Sequence, residues 1–317
     1  MQLILIILGS GLGLFYGLDG SGFVFSSNVC LFAGITLIMP TLFNVKFQDI
    51  KLLFEYKLLI FKGLLFNYIL LPIIAITIGL LSGDYGIAAG LFLLSVLSGG
   101  GMVMMWIKKS NADTSLGFIL LFINLLFVSL SLLMLHLFGI YTAEHFGETY
   151  VDELNVQSIA IAAMVLLIVI PFIVSRIVLF IKPLRKFIED KKKYISNISL
   201  FLILFYLFGL QRSQYVFEIY DFEPELFYIS ILAVVAFYTL VFISSIFVYN
   251  LKSPQERAAF WHSITRYITL ALVLSSLTTN TFGISILLPI MFAYIVQIPF
   301  AIYASKFLEN RYKISKD

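Results

Sequence analysis

Ser95–Asp113 reads SVLSGGGMVMMWIKKSNAD. The stretch begins as part of an apolar helix suited to a bilayer. Partway across it carries Ser98-Gly99-Gly100-Gly101. Glycines in a helix interior cost roughly 1 kcal/mol each against alanine. They are tolerated where the backbone unwinds or where another backbone passes close by. At membrane depth, irregular backbone persists only when it is buried in protein or lines a wet cavity. Interrupted helices of this kind build binding sites in carriers. A glycine-rich helix-packing face is the competing reading.

Working outward, the 317 residues are 61% hydrophobic and 12% charged. Soluble domains carry about 25% charged residues, so the composition predicts a polytopic membrane protein. The net charge of +3 is small, and nothing points to nucleic acid. The single cysteine, Cys30, excludes an intramolecular disulfide and a cysteine-based metal site. His136, His145 and His262 lack zinc-ligand spacing. The spans hold no nucleophile–base pair, metal motif or phosphate loop, which argues against an enzyme. The first apolar run has no basic n-region and no cleavage site, so it is read as a true span.

Spans need about 20 mostly apolar residues. Ten are expected, over 2–17, 28–45, 58–81, 86–107, 114–139, 156–180, 195–211, 226–249, 258–279 and 283–305. Loops after even-numbered spans hold 18 of the 21 basic residues. Loops after odd-numbered spans hold Arg212 and ten of the 18 acids. The positive-inside rule therefore puts both termini in the cytoplasm of a cell-membrane protein. Lys62, one turn into the third span, is expected to snorkel to the cytoplasmic interface.

The cytoplasmic connection 181–194 separates residues 1–180, holding spans 1 to 6, from residues 195–317, holding spans 7 to 10 and the tail. Read as two sets of five, the spans insert with opposite orientation. The fold class is therefore all-α, with ten transmembrane helices in two inverted five-helix repeats. Trp106 and Trp261 end the fourth and begin the ninth span near the same face. Aromatic-belt anchoring is one reading of the pair.

Four stretches resemble one family. They are Asn67-x4-Pro72 in the third span, Gly99-Gly100-Gly101-Met102-Val103-Met104-Met105-Trp106 followed by Asp113, Asn124 eleven residues later, and Val296-Gln297-Ile298-Pro299 in the tenth span. Together they resemble the bile acid:sodium symporter superfamily, including its Acr3-type arsenite permeases and, more distantly, auxin efflux carriers. The resemblance implies discontinuous crossing helices 4 and 9. It also implies a panel of spans 1, 2, 6 and 7 and a core of spans 3–5 and 8–10. The arsenite branch has a thiol aligned with Gly99. The implied function is alternating-access secondary transport of a small organic anion. An arsenite or metalloid efflux permease, or an auxin-carrier-like permease, is the alternative. No cofactor is implied beyond a coupling ion, Na+ or H+. The partners are a small solute and the lipid bilayer.

The candidate binding residues are Asn67, Ser98, Gly99, Gly100, Gly101, Asn124, Thr265, Arg266, Thr269 and Gln297. Arg266 stands out. An arginine at the bilayer centre costs at least ~2.5–3.5 kcal/mol and should face a partner or a cavity. It is read either as a fixed cation, clamping an anionic group or replacing an ion's charge, or as a snorkelling side chain or a cap on unwound carbonyls. Asn67, Asn124 and Gln297 are amides in apolar runs that need partners, whether as glue between helices or as a cavity lining. Asp113 is read as a helix N-cap or a gate residue. His262 could titrate. Met102, Met104 and Met105 are read as packing, because consecutive helix positions diverge.

Overall fold

A computed structural model describes residues 2–17, 51–100, 102–150, 169–213 and 223–312, with a few isolated positions outside these ranges. The expected second span, most of the sixth, and Gly101 lie outside the described residues. Among the described residues regular structure is helical, apart from one isolated antiparallel bridge between Ser98 and Arg266.

The helices used below are α1 (Gln2–Tyr16), α2 (Lys57–Ser82), α3 (Tyr85–Val96), α4 (Val103–Lys109), α5 (Thr114–Leu126) and α6 (Val128–Thr142). They continue with α7 (Ile170–Phe180), α8 (Lys182–Ser213), α9 (Pro224–Val248), α10 (Pro254–Ile264), α11 (Ile268–Leu277) and α12 (Leu287–Tyr312). Among the described residues, three helical stretches, Lys57–Ser82, Pro224–Val248 and Ile284–Tyr312, are long and apolar enough to cross a membrane. Thr114–Leu126 and Val128–Phe146 make a fourth if their 47° bend counts within one span.

Local chemistry explains several boundaries. Asp84 caps α3 by accepting from the Ile87 N–H at 2.7 Å. Asp113 caps α5 by accepting from the Leu116 N–H at 2.9 Å, so the N-cap reading of Asp113 holds. In α2, Pro72 has no N–H to give, and the helix widens to a π-turn over Phe66–Leu70, where the Leu71 N–H reaches back to the Phe66 carbonyl. Asn67 sits in that π-turn.

The expected 181–194 connection is not a loop. It forms the first turns of α8, which runs without a break from Lys182 to Ser213. Pro183 is placed where a helix start tolerates it, and Arg185 pairs with Glu189 at 2.9 Å one turn on.

Unlike a soluble domain, the molecule turns large apolar side chains outward. Leu58, Phe61, Leu65, Ile69 and Ile73 form an exposed stripe along α2, and Tyr228, Leu232, Val235, Ile243 and Phe247 do so along α9. Asn67, His262, Arg266 and Gln297 are buried. Apolar outer faces with the few polar side chains enclosed are the arrangement lipid selects, because hydrocarbon cannot solvate a polar side chain. Away from this core, α1 lies against α8. A Cβ on Gly13 would fall 2.3 Å from the Phe205 carbonyl oxygen, so only glycine permits that approach.

Candidate functional site

α3 ends at Val96 and α4 begins at Val103, and α10 ends at Ile264 and α11 begins at Ile268. Their gaps meet. The Gly99 N–H donates to the Thr265 carbonyl at 2.8 Å and to the His262 carbonyl at 3.2 Å, and the Tyr267 N–H donates to the Leu97 carbonyl at 3.0 Å. These bonds frame the Ser98–Arg266 bridge. Gly99 (φ 77°) and Gly100 (φ 138°) adopt left-handed backbone that a side chain would strain.

A helix that ends inside a protein leaves carbonyls without donors. At the end of α3 each has a donor. Leu93 O takes the Leu97 N–H, Leu94 O takes Arg266 Nε at 2.8 Å, Ser95 O takes Arg266 Nη2, and Val96 O takes the Ser131 hydroxyl at 3.1 Å. Arg266 Nη1 donates to Asn67 Oδ1 at 2.8 Å and to the Ser263 carbonyl at 2.9 Å. The backbone N–H of Arg266 donates to Gln297 Oε1 at 2.5 Å, and the same oxygen accepts from the Tyr238 hydroxyl at 2.9 Å.

Arg266 is 2% exposed, so it does not snorkel. Of the two readings from sequence, the geometry has it capping unwound carbonyls while remaining a fixed cation at the crossing. Four of its five N–H bonds are taken by protein oxygens. A bidentate carboxylate clamp, which needs two, is not open to it in this conformation.

Beside the crossing lies a small, mostly apolar cleft of about 10 Å³, lined by Ile60, Leu64, Asn67, Ile123, Asn124 and His262 among others. The Gly117 carbonyl can only accept, so His262 Nε2, 2.9 Å away, carries the proton. Nδ1 then accepts from Asn124 Nδ2 at 3.2 Å. This is a neutral histidine spanning α10 and α5. Lys62, partly exposed, pairs with Glu256 at 2.7 Å.

The structure thus gathers Asn67, Ser98, Gly99, Gly100, Asn124, Arg266 and Gln297 around one crossing. The Thr265 and Thr269 hydroxyls are taken by other partners. The Thr265 hydroxyl bonds back to the Trp261 carbonyl at 2.5 Å, and Thr269 accepts from the Tyr294 hydroxyl at 3.0 Å. The methionines diverge as expected, with Met104 buried and Met105 exposed. Trp106 and Trp261 are not belt anchors. Both are buried and stack on each other at 5.4 Å, and Trp261 Nε1 donates to the Ser110 hydroxyl at 2.7 Å. His262 is the residue sequence reasoning undervalued. Its position four residues before Arg266, one helical turn away, was the available signal.

The pattern of the sodium bile acid symporter family matches residues 31–216, more than half of the chain. The chain belongs to that family. It is therefore a polytopic integral membrane protein and a secondary transporter, not an enzyme. No curated protein matches it. The matched residues include Asn67, the glycine break and Asn124 and stop short of Arg266 and Gln297.

The family's name raises sodium. A sodium ion needs several oxygen ligands free to turn to it. At the crossing, Leu94 O, Ser95 O, Ser263 O and Asn67 Oδ1 all turn to the Arg266 guanidinium. These residues do not fit a free sodium ion while Arg266 is there.

Proposed function

We propose that the chain moves a small organic anion across the cell membrane by alternating access. The fold behind this reading is ten spans in two inverted repeats, with both termini cytoplasmic. A panel of spans 1, 2, 6 and 7 would rock against a core of spans 3–5 and 8–10. The observation that supports it is the meeting of two helix breaks beside a small cleft that carries Asn67, Asn124 and His262, inside a protein whose outer faces are apolar. Asn67, Asn124 and His262 would meet the solute, and the crossing behind them supplies backbone polarity. Arg266 lies behind Asn67 and does not line the cleft. The anionic character of the solute follows from the family, named for bile acid, and not from a net charge at the crossing.

The metalloid alternative loses support at Gly99. A side chain there would place its Cβ 2.7 Å from His262 Nδ1, so the position where the arsenite branch has its thiol is closed in this chain. The test is uptake of a panel of labelled organic anions and matched cations by the purified protein in liposomes. Accumulation of one or more anions, weakened by Asn124→Ala, supports the reading. Transport confined to cations, or no difference from protein-free liposomes across the panel, sinks it.

A further inference from the structure

Arg266 answers a charge problem that the crossing creates. The last turns of α3 and α10 both end at it, and a helix C-terminus carries roughly half a unit of negative charge. Two such ends call for about one positive charge between them. The amides that would have closed these turns are engaged across the break instead, Gly99 N–H with Thr265 O and Tyr267 N–H with Leu97 O. That leaves Leu94 O, Ser95 O and Ser263 O pointing into a buried space that Asn67 Oδ1 also faces. Four neutral oxygens from three helices, at two helix C-termini, form the donor set that broken-helix carriers offer to a monovalent cation. Here none of the four partners is a carboxylate, and the cation they hold is covalently attached.

We infer that Arg266 is the resident cation of the crossing, so that this chain binds no free sodium there, and that removing its side chain opens the oxygen cage to a free monovalent cation. The inference deepens the carrier reading where it concerns transport, and its binding arm does not depend on that reading. A tethered charge cannot be released to either side of the membrane. A sodium gradient therefore does no work in this chain, and the solute's own gradient, or a proton, drives the cycle.

The experiment measures melting of the purified full-length chain in detergent, in sodium chloride and in choline chloride at equal ionic strength. It uses wild type, Arg266→Ala and Arg266→Lys, each with and without millimolar guanidinium. The wild type is expected to melt at the same temperature in both salts and to ignore guanidinium. Arg266→Ala is expected to melt lower in choline and to recover, saturably, with guanidinium or sodium. Arg266→Lys keeps a tethered cation and is expected to stay indifferent to sodium. Stabilisation of the wild type by sodium over choline overturns the inference, and so does an Arg266→Ala chain that neither cation rescues. Should Arg266→Ala fail to fold, the wild-type and Arg266→Lys arms still decide, because sodium-dependent melting in either one contradicts a resident cation. A wild type that melts identically in both salts yet moves no solute in liposomes upholds the cage and removes the carrier reading.

Discussion

The two breaks at the crossing are made by different means. Between α3 and α4 the chain unwinds because glycine lets it, with φ of 77° at Gly99 and 138° at Gly100. Between α10 and α11 there is no glycine at all. Thr265-Arg266-Tyr267 is held open from outside, by Gln297 on the Arg266 amide and by Asn67 on its guanidinium. One break is a property of its own residues. The other is a property of its neighbours, 31 and 199 residues away in the chain. The first is permissive and the second is enforced. An enforced break should fail when a distant side chain is removed, whereas a permissive one should fail only when its own backbone is stiffened.

The largest effect expected from this contrast is at Gln297. Its Oε1 accepts from both the Arg266 N–H and the Tyr238 hydroxyl in a buried setting. Gln297→Leu leaves both donors unpartnered, at about 1–3 kcal/mol each. A loss of roughly 2–6 kcal/mol should appear as a large drop in thermal melting of the detergent-solubilised protein. A variant that melts like wild type would show that the second break holds itself open and would erase the contrast.

Gly99→Ala should come next. The left-handed backbone costs an L-residue roughly 1–2 kcal/mol. The added Cβ also meets His262 Nδ1 at 2.7 Å, which forces the imidazole or the strand to shift. Because that shift disturbs the Asn124–His262 bond lining the cleft, uptake should fall more steeply than stability. Equal losses would place Gly99 in packing alone. Asn124→Leu isolates the second part of this effect. It deletes one hydrogen bond to a neutral histidine and leaves the backbone alone, so stability should fall by about 1 kcal/mol. Transport should fall by roughly tenfold if the solute uses the same amide. Unchanged uptake removes Asn124 from the site.

The same contrast explains what the sequence disclosed. A glycine triplet within an apolar run is visible locally, so residues 95–113 raised a break beside the competing reading of a packing face, while its crossing with a second span came from the family resemblance. The second break left a single trace, an arginine where lipid forbids one. Its cause lay in tertiary contacts that no local pattern records. Asn67, Asn124 and Gln297 were legible as amides needing partners, but which partner each took depended on the crossing. The Trp106–Trp261 stack was legible only as two indoles at one face. The continuation of α8 through 182–194 was hidden because a run of charges reads as a loop, although its residues form helix well and pair one turn apart. Gly9, Gly13 and Gly17 repeat at a helical spacing that could have announced the contact of α1 with α8, and that signal was passed over.

The smallest effect distinguishes an enforced break from a merely polar one. Thr265 lies inside the second gap and is fully buried, and its hydroxyl makes a bond of 2.5 Å. By burial and distance it looks as important as Gln297. Its partner, however, is the Trp261 carbonyl, which already accepts from the Thr265 N–H at 3.0 Å. Removing the hydroxyl therefore leaves no acceptor empty, and valine fills nearly the same volume with a branched side chain suited to the extended backbone at this position (φ −98°, ψ 121°). Thr265→Val should change stability by less than about 1 kcal/mol and leave uptake within twofold of wild type, measured in the same melting and liposome assays. If it proves as damaging as Gln297→Leu, the break depends on its own hydroxyl as much as on distant side chains, and the division between a permissive and an enforced break does not hold.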